Sequence, residues 1–269
     1  MLKNRKEILQ VLYNTVKKRM DFAVIGLSGG VDSAVAACIC AKALGPSNVY
    51  AYAMPYSRLD WIKYNFNSEE IASHLKINYK TIPINDAVEG YYDCILDKLS
   101  VDGIAKLKAR VRTNFLYIYK QRLEEMSDKK GCVIGTSNMT EMFLGSHIKG
   151  GDALADIFIL GDILKSEVYD LADYFRKKKI LQDHMIDYFP TSGLYGEKTR
   201  LEQIGYNYEQ IEKVINDWKK FVTAPKEKDI SELYKLSETH KFVLDSYFAN
   251  KGKYSTNLII PVRYLIEQN

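Results

Sequence analysis

Phe22-Ala-Val-Ile-Gly-Leu27-Ser-Gly-Gly-Val-Asp-Ser33 is the stretch on which the fold turns. Its first six residues form an apolar run, the pattern of a strand covered on both faces. The Ser/Gly turn opens into an alanine-rich segment, 31–44, that reads as a helix stopped by Gly45-Pro46. Gly29 and Gly30 let the backbone turn sharply and aim consecutive N–H groups at one anion. The helix N-terminus at Val31 adds its partial positive charge. Ser28 and Ser33 add hydroxyls. Asp32 repels bare phosphate, so its natural partner is a Mg²⁺ ion carried by phosphate. No lysine follows the glycines, unlike the common nucleoside-triphosphate loop. Such a loop suits pyrophosphate as a leaving group, with reaction at the α-phosphate.

Outward from this loop the chain alternates strands and helices. Ile8, Leu9, Leu12 and Val16 predict an amphipathic helix over 4–19. Further strands are expected at 49–54, 78–83 and 132–135, and helices at 68–75, 85–98 and 104–126. Asn67-Ser-Glu-Glu70 has the spacing of a capping box. This alternation predicts an α/β fold, a doubly wound parallel sheet of about five strands with right-handed crossovers. From about 165 onward the chain reads as helical elaborations, at 165–178, 207–221 and 229–249. A single domain over 1–269 is expected, with the polar, glycine-containing stretch 190–205 as a candidate active-site loop. Ligands of such sheets bind beyond the carboxyl ends of the strands. Those ends hold Ser28 to Ser33, Pro55-Tyr56 and Thr136 to Glu141.

Among the 269 residues, 46% are hydrophobic and 27% charged, which suits a chain with a large core and excludes disorder. A net charge of +4 with no basic block argues against a nucleic-acid or membrane surface. Cys38, Cys40, Cys94 and Cys132 form no CxxC pair and are expected to be buried free thiols. The charged N-terminus leads into no apolar signal region, and no stretch is apolar enough to cross a bilayer, so a cytoplasmic location is expected.

Six ordered blocks follow the loop: Lys108-Ala-Arg110-Val-Arg112, Gly135 to Glu141, Lys149-Gly-Gly-Asp152-Ala-Leu-Ala-Asp156, Gly161 to Val168, Pro190 to Leu194 and Leu201 to Tyr208. The loop resembles that of the ATP pyrophosphatase superfamily, of adenine nucleotide alpha hydrolase-like fold. With these blocks, residues 20–215 resemble the ammonia-dependent NAD synthetase family. The resemblance implies that the nicotinate carboxylate of deamido-NAD attacks the α-phosphate of ATP, releasing pyrophosphate, and that ammonia displaces AMP from the acyl-adenylate. It implies that Gly26, Leu27, Ser28, Gly29, Gly30, Val31, Asp32 and Ser33 form the ATP loop, joined by Thr136, Lys165 and Thr191. Asp32 and Glu141 are implied as Mg²⁺ ligands, Lys165 as the triphosphate contact, and Arg110, Lys149, Asp156, His240 and Lys241 as the deamido-NAD side. The family implies a homodimer.

Each residue has a plainer role open to it. Glu141 suits the first turn of a helix. Lys149 and Lys165 suit a solvated surface. Arg110 and Arg112 suit pairing with Glu124, and Asp152 suits a turn. Asp152 and Asp156 are also candidates to accept the proton of ammonia. Departures from the family pattern fall on the acceptor side. Ala105-Lys106 stands where Gly-Asn is usual, Arg200 and Leu201 stand in place of acids, and Phe242 follows His240-Lys241. The tail past 250 finds no counterpart. Other expected classes are a different acyl-adenylate ligase and a non-catalytic nucleotide-binding module. The 27 residues before Ser28 leave no room for an amidase domain, so free or partner-supplied ammonia is implied.

Overall fold

The computed structural model describes residues 5–57, 66–95, 98–186, 205–222, 231–250 and 258–259. Strand β1 (Phe22–Gly26) is buried along its length and lies at the centre of a parallel sheet. It pairs with β2 (Val49–Ala53) on one side and β4 (Gly131–Gly135) on the other. β3 (Asn78–Thr81) continues beyond β2, while β5 (Ile157–Phe158) and β6 (Leu258–Ile259) continue beyond β4. The order β3-β2-β1-β4-β5-β6 reverses direction between β1 and β4. That reversal opens a crevice at their carboxyl ends.

The helices divide between the two faces. α1 (Arg5–Arg19), α2 (Val31–Leu44), α3 (Phe66–Leu75), α7 (Lys165–Lys177) and α8 (Asp183–Ile186) share one apolar cluster with Leu27, Val35, Ile39 and Phe175. α2 is buried from Ser33 to Ala41, the consequence of a run apolar on every face. α4 (Asn85–Asp93) and α5 (Val101–Met126) cover the opposite face through Val88, Val111 and Leu116. A third cluster joins α6 (Met139–Phe143), α9 (Tyr208–Val222), α10 (Ser231–Tyr234) and α11 (Glu238–Asn250) through Phe143, Ile211, Ile215 and Val243.

The doubly wound parallel sheet expected from the sequence is present, with six strands among the described residues against about five expected. The sixth comes from the tail past 250, where two residues pair with β5. The helix expected over 229–249 is two, because the Ser237 hydroxyl caps the second by accepting from the His240 N–H at 3.3 Å. Cys38 and Cys40 are buried thiols pushed well up by burial, whereas Cys94 is exposed. Among the described residues no helix is long and apolar enough to cross a membrane.

Gly135 ends β4 beside the fully buried Phe158. A Cβ there would lie 2.3 Å from the Phe158 ring and 3.0 Å from the Ala155 Cβ. Gly135→Ala is therefore expected to cost about 1–3 kcal/mol in urea unfolding, the usual range for overpacking. In a Phe158→Leu background the added cost should shrink, and an unchanged cost would mean the ring is not the obstacle.

Candidate active site

The phosphate loop takes its shape from its own short-range bonds. Gly29 has φ of 83°, a left-handed conformation that glycine adopts without strain. The Ser28 hydroxyl accepts from the Gly30 N–H at 3.3 Å and lies 3.1 Å from the Ser33 hydroxyl, which donates to the Gly30 carbonyl at 2.9 Å. Leu27 turns inward, wholly buried, and anchors the loop to the core. Asn67 braces it from α3: its buried amide donates to the Gly29 carbonyl. Asn67 is thus no helix cap, contrary to its spacing, because α3 begins at Phe66 and the side chain turns to the loop.

Three charged side chains converge beside this loop. Lys165, 1% exposed at the start of α7, forms an ion pair with Asp32 and places its ammonium 3.9 Å from Glu141. It also lies 5.6 Å from the centre of the Tyr169 ring. Asn138, wholly buried, donates from its amide to the other Asp32 oxygen at 2.9 Å. Lys165 is therefore not the solvated lysine that its type suggests. Glu141 does take the helix-start role open to it. With Asn138 it closes a capping box on α6, and its carboxylate still faces Lys165.

The electrostatics follow from crowding. Burial alone would lower the Lys165 pKa, but the Asp32 and Glu141 carboxylates outweigh it and hold the ammonium above the ordinary lysine range. Lys165 is thus a fixed positive charge, not a base. Burial pushes the Glu141 carboxyl up to about 7, with the Asp32 charge adding to the effect, although 31% of its side chain meets solvent. Tyr208, at the start of α9, feels all three charges, and burial raises its phenol to about 12. Two carboxylates sharing one buried cation form a donor set suited to a hard divalent ion. Among the described residues no cluster of three or more His, Cys, Asp or Glu could hold such an ion alone. Magnesium fits, since it binds through one or two carboxylates while phosphates and water complete its shell.

Of the remaining residues named from the sequence, Asp152 lies near enough for its charge to help raise the Glu141 carboxyl. Thr136 is half-buried just beyond β4. Arg110 and Lys149 are exposed and adjacent: the guanidinium donates to the Lys149 carbonyl at 3.3 Å. Arg112 donates to the Met54 carbonyl at 3.0 Å rather than pairing with Glu124. Lys108 stands 3.6 Å over the Tyr56 ring, at the carboxyl end of β2. Ala105 is buried on α5, and Lys106 pairs along the helix with Asp102.

Asp156 accepts from the Val133 N–H at 2.8 Å and the Tyr117 hydroxyl at 3.3 Å, with Lys120 at 3.2 Å. Asp152 accepts from the Ile148 N–H at 2.7 Å. Both carboxylates are thus held by contacts within the chain. His240 is buried, its ring nitrogens 2.8 Å from the Ser237 hydroxyl and 3.3 Å from Asp217. Lys241 is exposed on α11. Thr191, Arg200, Leu201 and most of the stretch 190–205 lie outside the described residues. The single-residue arguments from sequence missed Asn67, Asn138 and Tyr208. Asn138 and Tyr208 do fall inside the blocks quoted above, which was the available signal.

A family model described as NAD synthase matches residues 4–253. The NH(3)-dependent NAD(+) synthetase of Methanosarcina acetivorans is 33% identical over 216 residues, covering 79% of this chain and 80% of the relative. That of Fusobacterium nucleatum is 32% identical over 210 residues, covering 78% and 77%. Among solved structures, an NMN synthetase from Francisella tularensis superposes with a TM-score of 0.75 at 26% identity, covering 96% of this chain and 98% of that one.

The raised Glu141 carboxyl has a measurable consequence. In metal-free protein, ¹³C NMR should show it titrating at about 7. Asp32→Asn should bring the midpoint down by removing a like charge. Because the folded chain holds this proton more tightly than the unfolded chain, Glu141 lowers metal-free stability as pH rises from the ordinary carboxylate range to about 7. A midpoint in the ordinary range would show a solvated carboxylate instead.

Proposed function

The chain belongs to the NAD synthase family, an ATP-using family, and we propose that it is an ammonia-dependent NAD synthetase. In this reading the carboxylate of deamido-NAD attacks the α-phosphorus of ATP and pyrophosphate leaves. Ammonia then adds to the acyl-adenylate carbonyl, AMP leaves, and one proton is released. The observation that carries the reading is the buried Asp32–Lys165–Glu141 cluster beside a glycine loop that lacks a lysine of its own.

The loop from Gly26 to Ser33, with Thr136 and Thr191, would cradle the triphosphate through backbone N–H groups and hydroxyls. Asp32 and Glu141 would hold Mg²⁺, which when bound offsets phosphate charge and helps orient the chain of phosphates. Lys165 keeps its proton and supplies a second positive charge for the departing pyrophosphate. No side chain acts as a nucleophile, so catalysis consists of positioning and charge neutralisation. Arg110, Lys149 and Lys241 present exposed cations for the deamido-NAD phosphates. Asp156 and His240 support that side indirectly, being held in the contacts described above.

The chain works in this reading as one unit over 1–269, and as a homodimer. A groove between α4 and α5, lined by Ala87, Tyr91, Phe115 and Ile118, supports association: Tyr91 is 51% and Ile118 58% exposed. The free cysteines are in keeping with a cytoplasmic location.

The test is an incubation with deamido-NAD, ATP, Mg²⁺ and ammonium at mildly alkaline pH. NAD and AMP should form in equal amounts without ADP, and Asp32→Ala should abolish both. ADP in place of AMP would overturn cleavage at the α-phosphate, and AMP without NAD would overturn the acceptor. Lys165→Met should lower kcat by about 10²–10³-fold, the usual loss for a preorganised charge-stabilising group. The likeness to an NMN synthetase favours one second reading, a mononucleotide acceptor. Nicotinate mononucleotide in the same assay decides it: deamido-NAD should give the higher kcat/KM, and the reverse order would move this chain to NMN formation.

A further inference from the structure

Glu212 is a carboxylate placed where carboxylates are costly. It lies on the inward side of α9, 7% exposed, next to Ile211 and within two or three residues of Val214 and Ile215, all buried. Burying a charge is tolerated only when its lone pairs are filled. Here the donors are the Thr140 hydroxyl at 3.1 Å, the Ser166 N–H at 3.0 Å and the Ser166 hydroxyl. Thr140 precedes Glu141 in α6, and Ser166 follows Lys165 in α7. The Thr140 oxygen in turn accepts from the Lys165 N–H at 3.0 Å.

These bonds run from Lys165 to Thr140 to Glu212 and back to Ser166. They satisfy two N–H groups in the first turn of α7, which have no partner within the helix. They also tie α7 to α6, a five-residue helix too short to hold itself. Packing of α9 does not need the charge, since Ile211, Val214 and Ile215 already join it to Phe143 and Leu164. An apolar residue would serve that purpose better.

We propose that Glu212 is a positioning residue for ATP: from α9 it fixes the backbone at Lys165, directly at Ser166 and through Thr140, so that the Lys165 ammonium faces Asp32. This rests on the assignment of Lys165 and Glu141 to ATP made above. Glu212 touches no reacting atom and acts through Lys165.

The experiment is calorimetric titration with the magnesium complex of α,β-methylene-ATP, which cannot be cleaved at the bond in question. Wild type, Glu212→Ala, Glu212→Gln, Lys165→Met and the Glu212→Ala/Lys165→Met double variant are compared, each checked by thermal melting. Glu212→Ala should weaken binding about tenfold, in line with loss of hydrogen bonds to a charged group. Glu212→Gln keeps an acceptor for Thr140 and Ser166 and should stay within about threefold of wild type. The double variant should bind no more weakly than Lys165→Met alone, because the two share one path. Should Glu212→Ala fail to fold, Thr140→Val removes the central link of the chain and must show the same dependence on Lys165.

Losses that multiply in the double variant, or wild-type affinity in Glu212→Ala, would reduce Glu212 to a brace and overturn the proposal. A wild-type protein that binds the analogue but makes no NAD would sink the synthetase reading alone and leave the binding comparison to judge Glu212. Wild-type protein that fails to bind the analogue would overturn both.

Discussion

A lysine ammonium with 1% of its side chain exposed is the constraint around which this molecule is organised. Such a charge survives in the interior only if opposite charge meets it, and removing one partner of a buried pair leaves the other stranded. Asp32 comes from the first turn of α2, Glu141 from the short helix after β4, and Lys165 from the start of α7. The three charges thus pin together segments far apart in sequence. They also fix the site's polarity before any ligand arrives. In the proposed reading a triphosphate would compete for Lys165, and ligand entry would exchange one set of ion pairs for another.

The sheet places this cluster. β1 and β4 are neighbours, and the strand order reverses between them, which opens a crevice at their carboxyl ends. The space left holds the phosphate loop on one side and α6 on the other. Two buried amides finish the arrangement: Asn67 holds the loop backbone at Gly29, and Asn138 holds the carboxylate of Asp32. Neutral amides suit these positions, because they fix geometry without adding to the charge that the site must balance.

What could be read from the sequence was whatever local pattern determines. The apolar run of β1, the glycine turn and the buried face of α2 are encoded by neighbours within a few residues, and their positions match closely. Glu141 was legible as a helix start, and it closes the capping box of α6 while its carboxylate faces Lys165. Long-range partners were not legible. Asn67 has the local spacing of a cap, but Gly29, 38 residues away, competes for its amide and wins. Lys165 looks like any surface lysine until the fold surrounds it. Glu212 sits at an ordinary helical position, and its donors lie 46 and 72 residues back. The β6 pairing depends on β5 offering a free edge, which no local pattern announces.

The two halves of the site differ in how far they are prepared. On the proposed ATP side, Lys165 is desolvated and Asp32 and Glu141 are oriented by contacts within the chain, as catalysis by preorganised electrostatics requires. On the side proposed for the acceptor, Arg110, Lys149 and Lys241 stand exposed, where a cation is well hydrated and contributes little by itself. Activation at phosphorus needs fixed charges, whereas the nicotinate carboxylate must only be delivered within reach of it. The departures from the family pattern fall on that second, looser half, at Lys106 and around His240-Lys241. Substitution there alters recognition of the acceptor's far end while leaving the adenylating centre intact. Divergence can therefore gather on the proposed acceptor side without dismantling the Lys165 cluster.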